Sequence, residues 1–273
     1  MGRSNRLLSG LRNSALILYA LFALFPLLWM VLISFKHDRQ MYDTIFIFSP
    51  TLDNYKVLFS SGEYMGYFLN NVIVSVGAVL LSILVGVPAA YALARFDFKG
   101  KENLAFTFLS FRFAPEMLVI LPLFLIYQKI GLYDSYFGLI WVYQLISLPF
   151  IIWILRGYFE DISPEVEYAG RIDGYSWWRV FLKIIMPLIK PGMVAAGLLS
   201  FIFVWNNFTF ALLLAGQDVT TTTVASLKYI SSDTVQYGQM AAAVTISALP
   251  EVILALMIQK HLVRGLSMGA VKG

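Results

Sequence analysis

Three ionisable side chains stand inside otherwise apolar stretches, and each needs a chemical account: Arg112, Glu116 and Glu251. A charge at the middle of a spanning helix costs roughly 2.5–3.5 kcal/mol on insertion scales. Arg112 and Glu116 lie four residues apart, on one face if a single helix carries both, and two readings are open. They neutralise each other, or each finds a partner on another helix or subunit. Arg before Glu is the weaker helical order, and Pro115 between them disturbs the ladder. Glu251 follows Pro250 with no basic residue within a helical turn. It therefore faces a cavity, faces a partner subunit, or is protonated. Asn206 and Asn207 pose a cheaper version of the same question. They bond helix to helix, or they line a polar path through the membrane, which needs donors and acceptors.

None of this resembles catalysis. The chain has no cysteine, so thiol, disulfide and iron–sulfur chemistry are excluded. Its two histidines, His37 and His261, are too far apart to suggest a metal motif. There is no G-x-x-x-x-G-K-[ST] phosphate loop, so the chain supplies no ATP hydrolysis of its own.

Residues 161–191 are the second informative feature: DISPEVEYAGRIDGYSWWRVFLKIIMPLIKP, a long polar interruption between apolar segments. Packed helices are usually joined by a few residues. Ser163 is a good N-cap and Pro164 suits the first helical position. Glu165 and Glu167 favour the positive end of that helix. Val166, Ala169 and Ile172 give it one apolar face, and Gly174 stands where a helix terminator belongs. Ser176 caps a second helix with Trp177, Phe181, Ile184 and Leu188 on its apolar face. Arg179, Lys183 and Lys190 give that helix a basic face suited to lipid headgroups. Pro187 and Pro191 are expected to break it. The loop is either an elbow lying on the bilayer or a lever that another protein pushes.

The elements that position these residues follow from composition. The chain of 273 residues is 59% hydrophobic and 13% charged, with a mean hydropathy of +0.74. Soluble domains carry about 25% charged residues. Six segments are long and apolar enough to span a bilayer: about 15–35, 68–94, 104–127, 136–155, 193–214 and 240–262. The fold class is an all-α integral membrane protein, one transmembrane domain over residues 1–273. Arg3, Arg6 and Arg12 precede the first span, but its apolar stretch is too long for a signal peptide, so an uncleaved span is expected.

Lys and Arg set the orientation. Arg3, Arg6, Arg12, Arg95, Lys99, Lys101, Arg156, Arg171, Arg179, Lys183, Lys190, Lys260, Arg264 and Lys272 fall on one side. Lys36, Arg39, Lys56, Lys129 and Lys228 fall on the other. Both termini and the loop are therefore expected in the cytoplasm. The basic pI near 9.1 follows from topology and calls for no nucleic acid. On the outer side, residues 36–67 form either an interfacial segment or a docking surface. There, Ser49-Pro50-Thr51 is placed to open a short helix.

The stretch EYAGRIDGYSWWRVFLKIIMPLIKP resembles the EAA loop of ABC-importer permeases. That pattern is Glu-Ala-Ala, three residues, Gly, nine residues, Ile-x-Leu-Pro. Tyr168-Ala169-Gly170 occupies the first position, Gly174 follows, then Ile184, and Met186-Pro187 closes it. Tyr replaces Glu, Gly replaces the second Ala and Met replaces Leu, and Glu167 is placed to supply the missing carboxylate. PAAYALARFDFKGK, LPLFLIYQKIGLYDS, VWNNFTFALLL and QKHLVRGLSMGAVKG extend the resemblance to nearly the whole chain, within the carbohydrate-uptake (MalG-like) group.

The resemblance implies a coupling helix docked on a cytoplasmic ATPase, with Glu167, Tyr168, Ala169, Gly170, Asp173, Gly174, Ile184 and Pro187 as the coupling set. It implies a second, MalF-like permease subunit, two ATPase subunits carrying ATP and Mg, and an external solute-binding protein. It also implies that the C-terminal tail, residues 266–273, reaches the ATPase dimer. The expected location is a bacterial or archaeal cytoplasmic membrane. The alternative is an ion-coupled secondary transporter with Glu251 as relay. Such proteins usually show repeated halves and interrupted helices, which are not evident in this sequence.

Overall fold

The computed structural model describes residues 2–44, 46–60, 62–113, 115–230 and 235–269, with side chains given for 10–37, 39–44, 46–60, 62–113, 115–230 and 235–257. Apart from an isolated bridge between Ile230 and Val235, the described residues contain no strand. Twelve helices follow in order among them. They are α1 (Gly2–Ser34), α2 (Asp53–Ser60), α3 (Glu63–Arg95), α4 (Lys101–Phe111), α5 (Glu116–Ile130), α6 (Tyr136–Val142), α7 (Gln144–Glu160), α8 (Pro164–Ile172), α9 (Trp177–Trp205), α10 (Thr209–Leu214), α11 (Thr222–Ala225) and α12 (Tyr237–Gly269).

Four of these are single apolar helices long enough to span, at Gly10–Ser34, Glu63–Arg95, Trp177–Trp205 and Tyr237–Met257. Two further spans are broken: α4 meets α5 at 86° and α6 meets α7 at 44°. Counting each bent pair once gives the six expected spans. The 33 residues of α3 make a rod about 50 Å long.

The spans differ from the sequence boundaries in three instructive ways. The third span is not one helix over 104–127 but breaks between Phe111 and Glu116. Pro115 donates no backbone N–H and disfavours helical geometry in the residue before it. The fourth bends at Tyr143 and runs on to Glu160. The fifth begins at Trp177 and ends at Trp205, so residues 209–214 form a separate short helix. Pro187 and Pro191 do not break it. The five residues before Met186, Phe181–Ile185, form a wide π turn, which reseats the ladder just where Pro187 would leave a bond unmade.

The chain divides into two compact units. One comprises Met1–Met65 and Ser226–Ala248. In it Leu58, Tyr64, Ala242 and Ala243 form a small core, and the Tyr64 hydroxyl donates to the Ala243 carbonyl at 2.6 Å. The short helix foreseen after Ser49-Pro50-Thr51 is α2, and the Thr51 hydroxyl accepts from the Asp53 N–H at 3.1 Å. Hydrogen bonding to Thr51 and the nearby Lys56 ammonium hold the Asp53 carboxyl below its ordinary pKa. Lys36 is fully buried, its Nζ donating to the Asp43 carbonyl at 2.7 Å and lying 4.6 Å from the Trp29 ring centre.

The other unit comprises Gly66–Ala225 and Leu249–Gly273. One core joins Val87, Ala90, Tyr91 and Leu93 of α3 to Ile151, Leu155 and Phe159 of α7 and to Val180, Ile185 and Ile189 of α9. A second joins Val74 and Ala78 of α3 to Ile120, Leu139, Tyr143, Val204 and Phe210. Both ends of α9 are thereby fixed against α3, and each end carries a group of candidate site residues.

Candidate functional site

At its N-terminal end α9 is reached through the loop. Ser163 is extended and its hydroxyl accepts from the Glu165 N–H at 3.4 Å, with Pro164 opening α8. The helix closes on a glycine motif. The Tyr175 N–H bonds the Gly170 carbonyl and the Gly174 N–H bonds the Arg171 carbonyl, both at 3.1 Å. Gly174 has φ 86°, the left-handed region where a β-carbon is penalised. The Ser176 hydroxyl then accepts from the Arg179 N–H at 3.4 Å and α9 begins. The caps and the turn lie where the sequence puts them.

The faces are not as the periodicity suggested. Val166, Ala169 and Ile172 point outward, Ile172 being 86% exposed. Tyr168 is 60% exposed beside them. The inward residues are Glu167 and Gly170. Gly170 has a steric reason: a β-carbon there would lie 2.5 Å from Ile184 Cδ1, so the glycine that replaces the motif's second alanine lets α8 approach α9.

Glu167 accepts from the Tyr91 hydroxyl at 2.9 Å and pairs with Arg95 Nε. Both of its carboxylate oxygens are thus held by its own chain. Asp173 is exposed, Ile184 is partly buried, and Pro187 is exposed within α9. On α9 the buried face is Val180, Phe181, Ile185 and Ile189 rather than Trp177, Phe181, Ile184 and Leu188. Trp177 and Leu188 are about half exposed, a rotation that accompanies the π turn. The Arg171 guanidinium lies 4.8 Å from the Trp177 ring centre.

At its other end α9 stops at Asn206 and Asn207, and the intramembrane polar residues gather there. Asn207 Nδ2 donates to Glu116 Oε1 at 2.9 Å, while its Oδ1 accepts from the Phe210 N–H at 3.1 Å and caps α10. The Asn206 side chain donates to the Ile202 carbonyl at 3.0 Å and lies beside Glu251. Arg112 lies against two aromatic rings, 4.5 Å from the Phe150 centre and 4.4 Å from the Phe203 centre. Among the described residues no ion pair joins Arg112 to Glu116. Each instead meets groups from other helices, Arg112 the rings of Phe150 and Phe203 and Glu116 the Asn207 amide, because the break at Pro115 ends the shared helix face. Glu251, which the sequence left without a partner, lies beside Asn206.

Sequence reasoning missed the clamp that holds this end. The Asp134 carboxylate, on a residue with φ 53°, accepts from the N–H groups of Gly216 (2.7 Å), Asp218 (3.1 Å) and Val219 (3.0 Å). Asn70 Nδ2 donates to the carbonyls of Asp218 and Thr220 while its Oδ1 accepts from the Tyr136 hydroxyl. Asn71 Nδ2 donates to the Trp205 carbonyl and to Thr222 Oγ1. The available signal was the adjacent pair Asn70-Asn71 inside an apolar helix. Among the described residues no group of three or more metal-ligating side chains comes together. The His261 side chain and residues 270–273 of the tail lie outside what is described.

Residues 82–268 match the family described as binding-protein-dependent transport system inner membrane component. The chain is 38% identical over 251 residues to the probable ABC transporter permease protein y4oR of Sinorhizobium fredii, covering 91% of this chain and 90% of that one. It is 34% identical to the trehalose transport system permease protein SugB of Mycobacterium tuberculosis, covering 92% and 93%. It is 32% identical to the trehalose/maltose transport system permease protein MalG of Thermococcus litoralis, covering 94% of each. Its fold resembles a chain from the crystal structure of a bacterial ABC transporter involved in alginate import, with a TM-score of 0.79, 24% identity and coverage of 95% and 98%.

The α-helical spans and the EAA-like loop thus belong to an importer permease. The chain is a member of the binding-protein-dependent ABC transporter permease family, an inner-membrane component rather than an ion-coupled carrier.

Proposed function

We propose that this chain is the sugar-permease subunit of an ATP-driven importer, with the 161–191 loop and both termini in the cytoplasm. Its solute is a neutral oligosaccharide or a related polyhydroxylated compound, the class named for the trehalose and maltose relatives. A second permease subunit completes the pore, two ATPase subunits hold ATP and Mg, and an external binding protein delivers the solute. The observation that carries the reading is the orientation of α8, which turns Val166, Tyr168, Ala169 and Ile172 outward from the bundle. An apolar patch beside polar surroundings marks an interaction site. Glu116, Asn206, Asn207 and Glu251, with Arg112 beside them, supply the donors and acceptors of the solute path.

Reconstitution tests the reading. Liposomes holding this chain alone should take up no solute. Liposomes holding the second permease subunit and the ATPase as well should take it up only with ATP inside the ATPase compartment and binding protein on the opposite side. Solute-specific uptake by the chain alone would overturn the proposal.

A further inference from the structure

Glu167 is an unusual residue to find on the buried side of a docking helix. It is 3% exposed, and the Arg95 side chain that pairs with it is 11% exposed. Removing two charges from water is expensive, and geometry must recover that cost. Here the geometry is well satisfied. One carboxylate oxygen takes the Tyr91 hydroxyl and the other takes Arg95 Nε. Arg95 Nη2 reaches on to the Ile162 carbonyl at 2.7 Å. A single guanidinium at the C-terminal end of α3 thus holds both the chain leading into α8 and the first turn of α8 itself.

An apolar residue at 167 would attach α8 to the bundle without burying charge. Apolar contacts are non-directional, however, whereas charge-assisted bonds fix both distance and orientation. The far part of the same rod grips the other end of α9, where Asn71 holds the Trp205 carbonyl and Asn70 holds Asp218 and Thr220. Arg95 and Asn71 are separated by about 36 Å of continuous helix, at 1.5 Å per residue.

We propose that the Glu167–Arg95 pair is the joint through which displacement of α8 reaches α3, and that Glu167 is a positioning residue acting through Arg95 and Tyr91 without touching the ATPase. The proposal rests on the reading of α8 as the ATPase-facing helix. It assigns docking to the outward face and transmission to the inward one.

The test uses the complete importer in liposomes. It reads solute imported per ATP hydrolysed, alongside the amount of ATPase that co-purifies. Glu167→Gln removes the charge and keeps the size. The ATPase should stay bound while the transport-to-hydrolysis ratio falls about tenfold, a loss within the usual range of coupling free energies. Exchanging the charges, Glu167→Arg with Arg95→Glu, should restore most of the ratio, which a purely steric role would not do. Tyr91→Phe, which removes one bond and leaves the ion pair, should give a smaller fall, and it decides the matter if Glu167→Gln is not recovered from membranes.

Loss of the ATPase from Glu167→Gln would overturn the proposal. So would a wild-type ratio in Glu167→Gln or in Tyr91→Phe, or an exchange variant that assembles but stays uncoupled. A wild-type complex that transports without ATP would instead refute the permease reading itself.

Discussion

The two ends of α9 are built by different chemistry. At the N-terminal end a glycine turn, two serine caps and one buried ion pair hold a short helix whose apolar side faces outward. At the C-terminal end neutral amides, one aspartate and backbone groups hold a broken, irregular segment over residues 206–221. The first arrangement fixes a rigid element and leaves it a surface to offer. The second satisfies the backbone groups left free where the chain is interrupted on either side of the short helix α10. On the proposed reading the first end is a lever and the second a path, and these need opposite designs. The lever must transmit displacement without deforming, whereas the path must present polar groups along an interrupted backbone.

The largest effect is expected from Gly174→Val. A branched side chain at φ 86° is strained, at a cost of about 1–2 kcal/mol or more, and the angle between α8 and α9 must change to relieve it. The six spans should remain inserted while binding-protein-stimulated hydrolysis falls by more than about tenfold. Hydrolysis and ATPase co-purification at wild-type values would mean that the loop is a passive elbow.

Asp134→Ala addresses the opposite end. It removes a charged acceptor from three N–H groups, each such bond contributing about 1.5–3 kcal/mol. The expected result is a lower melting temperature in detergent and weaker solute transport, with the ATPase still bound. If ATPase binding were lost as readily as with Gly174→Val, the two ends would not be functionally separate.

Glu251→Gln should have the smallest effect. The amide can bond Asn206, so assembly should be unchanged and uptake should fall by no more than about tenfold, equivalent to ~1.4 kcal/mol. Failure to assemble would show that Glu251 serves subunit contact instead of the path.

The same two ends explain what was legible in the sequence. Ser163, Pro164, Gly174 and Ser176 act on groups within about five residues of themselves, so their spacing announces α8, the turn and the start of α9. The periodicity of Val166, Ala169 and Ile172 identified an apolar face but not what covers it, and that face turned outward. At the other end Asn71 meets Trp205, Glu116 meets Asn207 and Asp134 meets Gly216, contacts between residues 82 to 134 apart that leave no local pattern. Pro115 was visible as a disturbance, yet a proline in an apolar run is as compatible with a kink as with the 86° break observed. The partners of Arg112 and Glu251 depended on that break and on the end of α9, and were out of reach for the same reason.

The central claim is that α8 meets the ATPase with its outward face and its own bundle with its inward face. The chain contains no cysteine, so a single introduced thiol reports without background. Ile172→Cys should react readily with a water-soluble maleimide in the chain without the ATPase. In the assembled complex it should be protected and should be captured by a short thiol crosslinker onto the ATPase subunit. Equal labelling with and without the ATPase, and no crosslink, would contradict the account.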